Sequence, residues 1–176
     1  MKSSVPPTFR ELLFGCQHSA VHLEMWDSYA VDYEQGPFAE WRRGLRHDPA
    51  DRASWWRPWL DLVQDTVARG VVMRRARIVS EPVSEYTRFL YDGTFTNIAA
   101  GEQVRWLPRR HASDIALPGN DFWLFDGRIV CWNHFTGEGA SAGPEVVTDP
   151  AAAKLCSDAF ETVWSLAAPH DQYKIR

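Results

Sequence analysis

The sequence predicts a single α/β (α+β) domain, a mixed sheet with helices packed on it. Three observations lead there. Segments with helical spacing alternate with short strand-like runs, the pattern that layers helices on a sheet. An Asp126–Gly127 pair divides two apolar runs, "DFWLF" and "RIVCWN", the strongest short-range sign of a hairpin. The chain has 176 residues, of which 45% are hydrophobic, enough for one domain with its own core. The domain is expected to span 1–176, with 1–18 and 169–176 as peripheral segments.

Each element has its own signal. "TFRELLFGC" reads as a short helix ending near Gly15. In "SAVHLEMWDSYAV" Val21, Leu23 and Met25 alternate with His22, Glu24 and Trp26, which predicts a strand. "GPFAEWRRGL" reads as a helix with Pro37 near its first turn and Gly44 near its end. "DRASWWRPWLDLVQDTVARG" is the strongest helix, capped by Ser54 and ended by Gly70, with Pro58 in its first turn. "VVMRRARIV" follows as a strand. The next segment is expected to be helical in its first half, started at Ser80, with Tyr86, Phe89 and Leu90 on one face. "QVRWLPR" is a strand stopped by Pro108. After the hairpin, "TGEGASAGPE" reads as a mobile or ligand-facing loop, and "VVT" as a short strand. The last helix has Asp149 as N-cap and Pro150 at N1, with Leu155, Phe160, Val163 and Trp164 expected to be buried.

Composition excludes some functions. The net charge is −4 with sixteen arginines and three lysines, so direct nucleic-acid binding is not expected. No recognition helix stands out. No apolar run is long enough to span a bilayer. Three cysteines, an odd number without CxxC spacing, and no N-terminal apolar segment predict a reduced, cytoplasmic protein. No cofactor is expected.

Two resemblances add to this. "SAVHLEMWDSYAVDYEQGPFAEW", "RARIVSEPVSEYTRFLYDGTFTNIAAGEQVRWLPRR", "LPGNDFWLFDGRIV" and "DPAAAKLCSDAFETVWSLAAPHDQY" resemble the actinobacterial domain of unknown function 6879 over nearly the whole chain. That resemblance implies no activity, but it implies a setting beside helix-turn-helix regulators. At the level of fold, "VQDTVARGVVMRRARIV", "VRWLPR", "FWLFDGRIV" and "DPAAAKLCSDAFETVW" resemble a phospholipase D-like half. Catalytic members of that group carry His-x-Lys-x4-Asp across the hairpin. Aligning the last position on Asp126 puts Gly119 where His would stand and Asp121 where Lys would stand. Glycine cannot act as a nucleophile, and an aspartate would repel phosphate. An ordinary hairpin in an ordinary sheet fits the same residues.

Candidate site residues follow. Arg74, Arg75 and Arg77 lie in one strand, with Arg88, Arg105, Arg109 and Arg110 further on. Period two puts Arg75 and Arg77 on one face, where they could hold a phosphate or carboxylate. Pairing with Glu81, Glu85, Asp92 or Glu102 would explain the same pattern. His134, after the hairpin, is the first histidine to suspect of chemistry; His111, Ser113 and Asp114 form no recognisable triad. Cys16, His18 and His22 lack the spacing and the fourth ligand of a metal site. Trp56, Leu60, Val63 and Val67 make one helical row, so Trp56 is expected in the core and Trp55 is expected as an exposed partner anchor.

The expectation is therefore a non-enzymatic cytoplasmic partner or small-molecule sensor domain working with a helix-turn-helix regulator. Its candidate ligand residues are Arg75, Arg77, Arg105, Arg109 and His134, for an anionic small molecule; its candidate partner residue is Trp55. The alternative is an enzyme acting on a phosphorylated or nucleotide-like substrate in an arginine-bordered cleft.

Overall fold

Three parallel strands form the middle of the structure: β1 (Ser19–Glu24), β2 (Val72–Val79) and β3 (Gln103–Pro108). The computed structural model describes residues 7–176. An antiparallel meander, β4 (Asp121–Phe125), β5 (Ile129–Phe135) and β6 (Ser141–Val147), extends the sheet beyond β1. The two-residue β7 (Ala168–Pro169) closes the far side, giving the order β6-β5-β4-β1-β2-β3-β7. This is the expected α+β architecture with a mixed sheet.

Alternation along the strands builds two cores. On one face Ala20, Met73, Trp123, Phe125 and Cys131 pack under α1 (Phe9–Gly15), α3 (Arg52–Trp55) and α4 (Pro58–Ala68). On the other, Val21, Leu23, Ala76, Ile78, Phe122 and Leu124 pack under α6 (Pro150–Leu166) through Cys156, Phe160 and Val163. Asp149 accepts from the Ala151 N–H and Pro150 opens α6, as predicted. Leu155 was placed on its buried face but is exposed, because Ala153, Cys156, Ala159, Phe160 and Val163 make up the buried row.

The hairpin forms where expected. Asp126 and Gly127 adopt φ of +49° and +65°, as a primed turn requires, and Arg128 N–H donates back to Phe125 O. The glycine-rich stretch is partly strand, since β6 begins at Ser141. At Gly139, φ is +83°, a left-handed backbone that favours glycine.

Four expectations need correction. The long helix is broken: Trp56 and Arg57 are extended, because a residue before proline is pushed out of helical geometry. The row through Trp56 therefore does not exist. Trp55 is buried against Phe95 and donates to Asp48 O, so it is core and not a partner anchor. Trp56 is half-buried beneath Arg52 and donates to Asp61. Next, α5 (Glu85–Ala99) starts from Ser84, not Ser80, and runs the full length of its segment. Then β1 ends at Glu24, and α2 (Asp32–Arg42) begins earlier than Gly36, with Pro37 inside it. Finally, the supposedly peripheral ends supply Leu12, Leu13, Cys16 and Tyr173 to the cores; residues 1–6 lie outside the described residues.

Among the described residues no helix is long and apolar enough to cross a membrane.

Candidate functional site

The strand alternation that buries Ala20 and Met73 also carries His22, Glu24, Arg75 and Arg77 onto the same face. Register puts His22 opposite Arg75 and Glu24 opposite Arg77. Glu24 accepts from Arg77 Nε at 2.5 Å and from Arg75 Nη1 at 3.1 Å. Arg75 Nε donates to Glu102 Oε1 at 2.8 Å, and Asn97 Nδ2 donates to Glu102 Oε2 at 2.6 Å. The network is almost closed to solvent: the Arg75 side chain is 10% exposed and that of Glu102 is 0% exposed.

Burial raises the cost of ionising Glu24, yet Arg77 and Arg75 together hold its carboxyl well below the usual range. Burial works against the Arg75 charge, and Glu102 and Glu24 more than offset it. His22 is stacked on Trp123 and, through burial and the nearby arginines, its pKa falls to about 3, so it is neutral. The Asn133 side-chain amide lies 3.3 Å from His22 Nε2. Two buried side-chain atoms find no partner: His22 Nδ1 and Arg77 Nη1.

Over this cluster lies a cover, residues 26–57. From Glu24 to Ser54 no residue is fully buried. The cover is held at a few points. Tyr29 donates to Asp121 and Tyr86 donates to Glu34. Trp41 Nε1 donates to Asp92 at 2.8 Å, Arg42 pairs with Glu85 at 2.7 Å, and Phe38 packs on Tyr86 and Phe89. Burial pushes the Asp121 carboxyl up to about 7, and burial and Glu24 raise that of Glu34.

The five ligand residues expected from the sequence do not converge. Arg75 and Arg77 are in the cluster, but paired. Arg105 and His134 lie on the opposite face: Arg105 donates to Trp164 O, and His134 pairs with Glu145 at 3.0 Å. Period two explains the split, since Arg105 is one residue from the Arg75 partner Val104 in β3. Arg109 clamps the strand ends, donating to Met25 O, Ile78 O and Ser80 Oγ. It also borders an open recess of about 260 Å³ lined by Ser80, Glu81, Pro108, Arg110 and Ser113. Cys16 donates to Ser19 O at 3.0 Å, and no three metal-ligating side chains come together among the described residues.

The sequence reading missed Glu24, Asn97, Asp121 and His22 as members of one cluster. The usable signal was charge parity: Glu24 and Arg77 alternate in step on neighbouring strands. The hairpin positions are occupied by structural residues. Asp126 accepts from the Gln17, His18 and Ser19 N–H groups, and despite burial these bonds lower its pKa to about 2. Asp121 accepts from the Met25 N–H at 2.9 Å as well as from Tyr29. Gly119 lies in the preceding loop.

Residues 7–175 match the family described as a domain of unknown function (DUF6879). No match is found among curated proteins. Among solved structures, the chain is similar to Nuc, a phospholipase D family member from Salmonella typhimurium, at 9% identity and a TM-score of 0.52, over 91% of this chain and 86% of that one. It is also similar to TrmBL2, an archaeal chromatin protein whose structure shows a novel mode of DNA binding, at 13% identity and a TM-score of 0.48, over 90% of this chain and 47% of that one. The likeness to Nuc establishes a phospholipase D-like fold; at this identity it says nothing of activity.

Proposed function

We propose that the chain, which belongs to the DUF6879 family, is a non-catalytic cytoplasmic domain that senses a small polar molecule and works with a helix-turn-helix regulator. The observation that carries the sensing role is the pair of buried, unpartnered groups, Arg77 Nη1 and His22 Nδ1, beside a cover that has no fully buried residue from Trp26 to Ser54. Leaving a buried polar group unsatisfied costs about 1–3 kcal/mol. A ligand supplying acceptors there would recover that cost and would tie the cover to the sheet. The regulator is the partner implied by the family resemblance.

Co-expression with the neighbouring regulator, followed by affinity purification and mass spectrometry, tests the partnership. A stable complex is expected; a chain that elutes alone beside an abundant regulator overturns it. The competing reading, an enzyme acting on phosphorylated or nucleotide-like substrates, is weakened by the engagement of Arg75 and Arg77 with Glu24 and Glu102. Phosphodiester substrates should therefore not be turned over. Robust turnover that disappears on His134→Ala would reverse the choice.

A further inference from the structure

Away from the cover, a recess of about 410 Å³ opens where the last turns of α5 and α6 meet the border of β3. Small-molecule sites hold about 300–1,000 Å³. β7 pairs only with Arg105 and Trp106, so the sheet is not extended beside Gln103. Ile98, Val104 and Trp164 give the recess an apolar wall, and Ile98 is 42% exposed. Three polar side chains on the same lining keep groups that the fold does not use. Arg105 lies over the Trp164 ring, 4.4 Å from its centroid, and its Nη1 donates to Trp164 O at 2.9 Å. These contacts fix the guanidinium and leave its Nε/Nη2 edge without a partner among the described residues. A carboxylate can bridge that edge with two bonds. His170 Nδ1 accepts from the Trp106 indole N–H at 3.1 Å. An indole N–H can only donate, so the ring proton of His170 is on Nε2. Burial lowers the His170 pKa, so the ring adds a donor without a second positive charge. Asp171 is exposed. Arg105 and Asp171 do not pair with each other, and neither has another ion-pair partner among the described residues. Glu102, on the same lining, is taken by Arg75 and Asn97.

The recess therefore presents one cation and one anion, held apart, beside an apolar wall. A ligand with a single charge would satisfy one of them and be repelled by the other. A zwitterion with an apolar body satisfies both. We infer that the recess binds a free α-amino acid with an apolar side chain. Its carboxylate would meet Arg105 and His170 Nε2–H, its ammonium Asp171, and its side chain Ile98 and Val104. None of these residues belongs to the cover, so the inference goes beyond the sensing reading above and does not rest on it.

The test uses the full chain, with L-phenylalanine and L-leucine as probes, read by calorimetric titration and by melting temperature. At least one should bind and raise the melting temperature, by mass action. Its analogue without the ammonium group (hydrocinnamate or isocaproate) and its analogue without the carboxylate (phenethylamine or isoamylamine) should each bind about tenfold more weakly or worse. Asp171→Asn, at an exposed and unpaired side chain, should melt like the wild type without ligand. It should weaken the amino acid about tenfold and leave the analogue without the ammonium group no weaker than before. Arg110→Gln, in the recess beside Arg109, should bind like the wild type. If neither amino acid binds, the inference falls. It is also wrong if either analogue binds as tightly as its parent, if Asp171→Asn leaves amino-acid affinity unchanged, or if Arg110→Gln abolishes it.

Discussion

Glu24→Gln is the sharpest probe of what holds the buried network. The change keeps the shape and removes the charge. Glu24 serves two arginines, so one Gln oxygen can still accept from Arg77 or Arg75, but the new amide then faces a guanidinium donor. Removing one partner of a buried ion pair costs about 3–5 kcal/mol, because the other charge stays desolvated. In a chain of this size that is a fall of about 6–20 °C in melting temperature. Glu102→Gln is the internal comparison. Arg75 keeps Glu24, and the Asn97 amide can turn to present its oxygen to the new donor, so the loss should be nearer 1–2 kcal/mol. Urea unfolding at neutral pH, with a shared slope, measures both. If Glu24→Gln is no less stable than Glu102→Gln, the shared carboxylate is not the centre of the network and the reasoning fails.

Other expectations follow from the same structure. Trp55→Ala should cost about 3–5 kcal/mol and Trp56→Ala about 1 kcal/mol, as seen in urea midpoints; the reverse order would restore the unbroken helix. The Asp121 pKa rises from 3.8 to about 7, so its contribution is complete below pH 3.8 and is lost as pH climbs through about 7. The stability difference between wild type and Asp121→Asn should therefore shift against the wild type from pH 4 to pH 8; a flat difference would refute it. The Asp126 pKa falls from 3.8 to about 2, so its contribution is present above pH 3.8 and is lost as pH falls through about 2. Asp126→Asn should cost about 2 kcal/mol at pH 7 and nothing near pH 1, as followed by acid-dependent unfolding.

The sequence revealed the fold better than the site, and the reasons are physical. The hairpin was legible because Asp-Gly has few other uses between two apolar runs. α6 was legible because Asp149 and Pro150 mark its start. The pairing of Arg75 with Glu102 and of Arg110 with Glu81 was among the open alternatives, and the structure contains both. Glu24 was hidden because its alternation with Leu23 and Met25 looks like a strand with one wet side, whereas β1 lies in the middle of the sheet with both faces covered. The tryptophans were misplaced because helical spacing was counted through Arg57, which cannot be helical before Pro58.

The strands at the two borders of the sheet each carry a proline: Pro144 in β6, opposite Asn133, and Pro169 in β7, opposite Arg105. Proline has no N–H, so each border strand has one backbone donor fewer. Next to Pro144, Gly143 takes φ of +97°, and the register slips between His134 and Phe135, which twists that border out of line. The sheet is thus guarded against growing by strand addition, whether from another copy or from an extended peptide. A partner protein that docked on the cover above Glu24 would press on the same segment that encloses the arginine cluster.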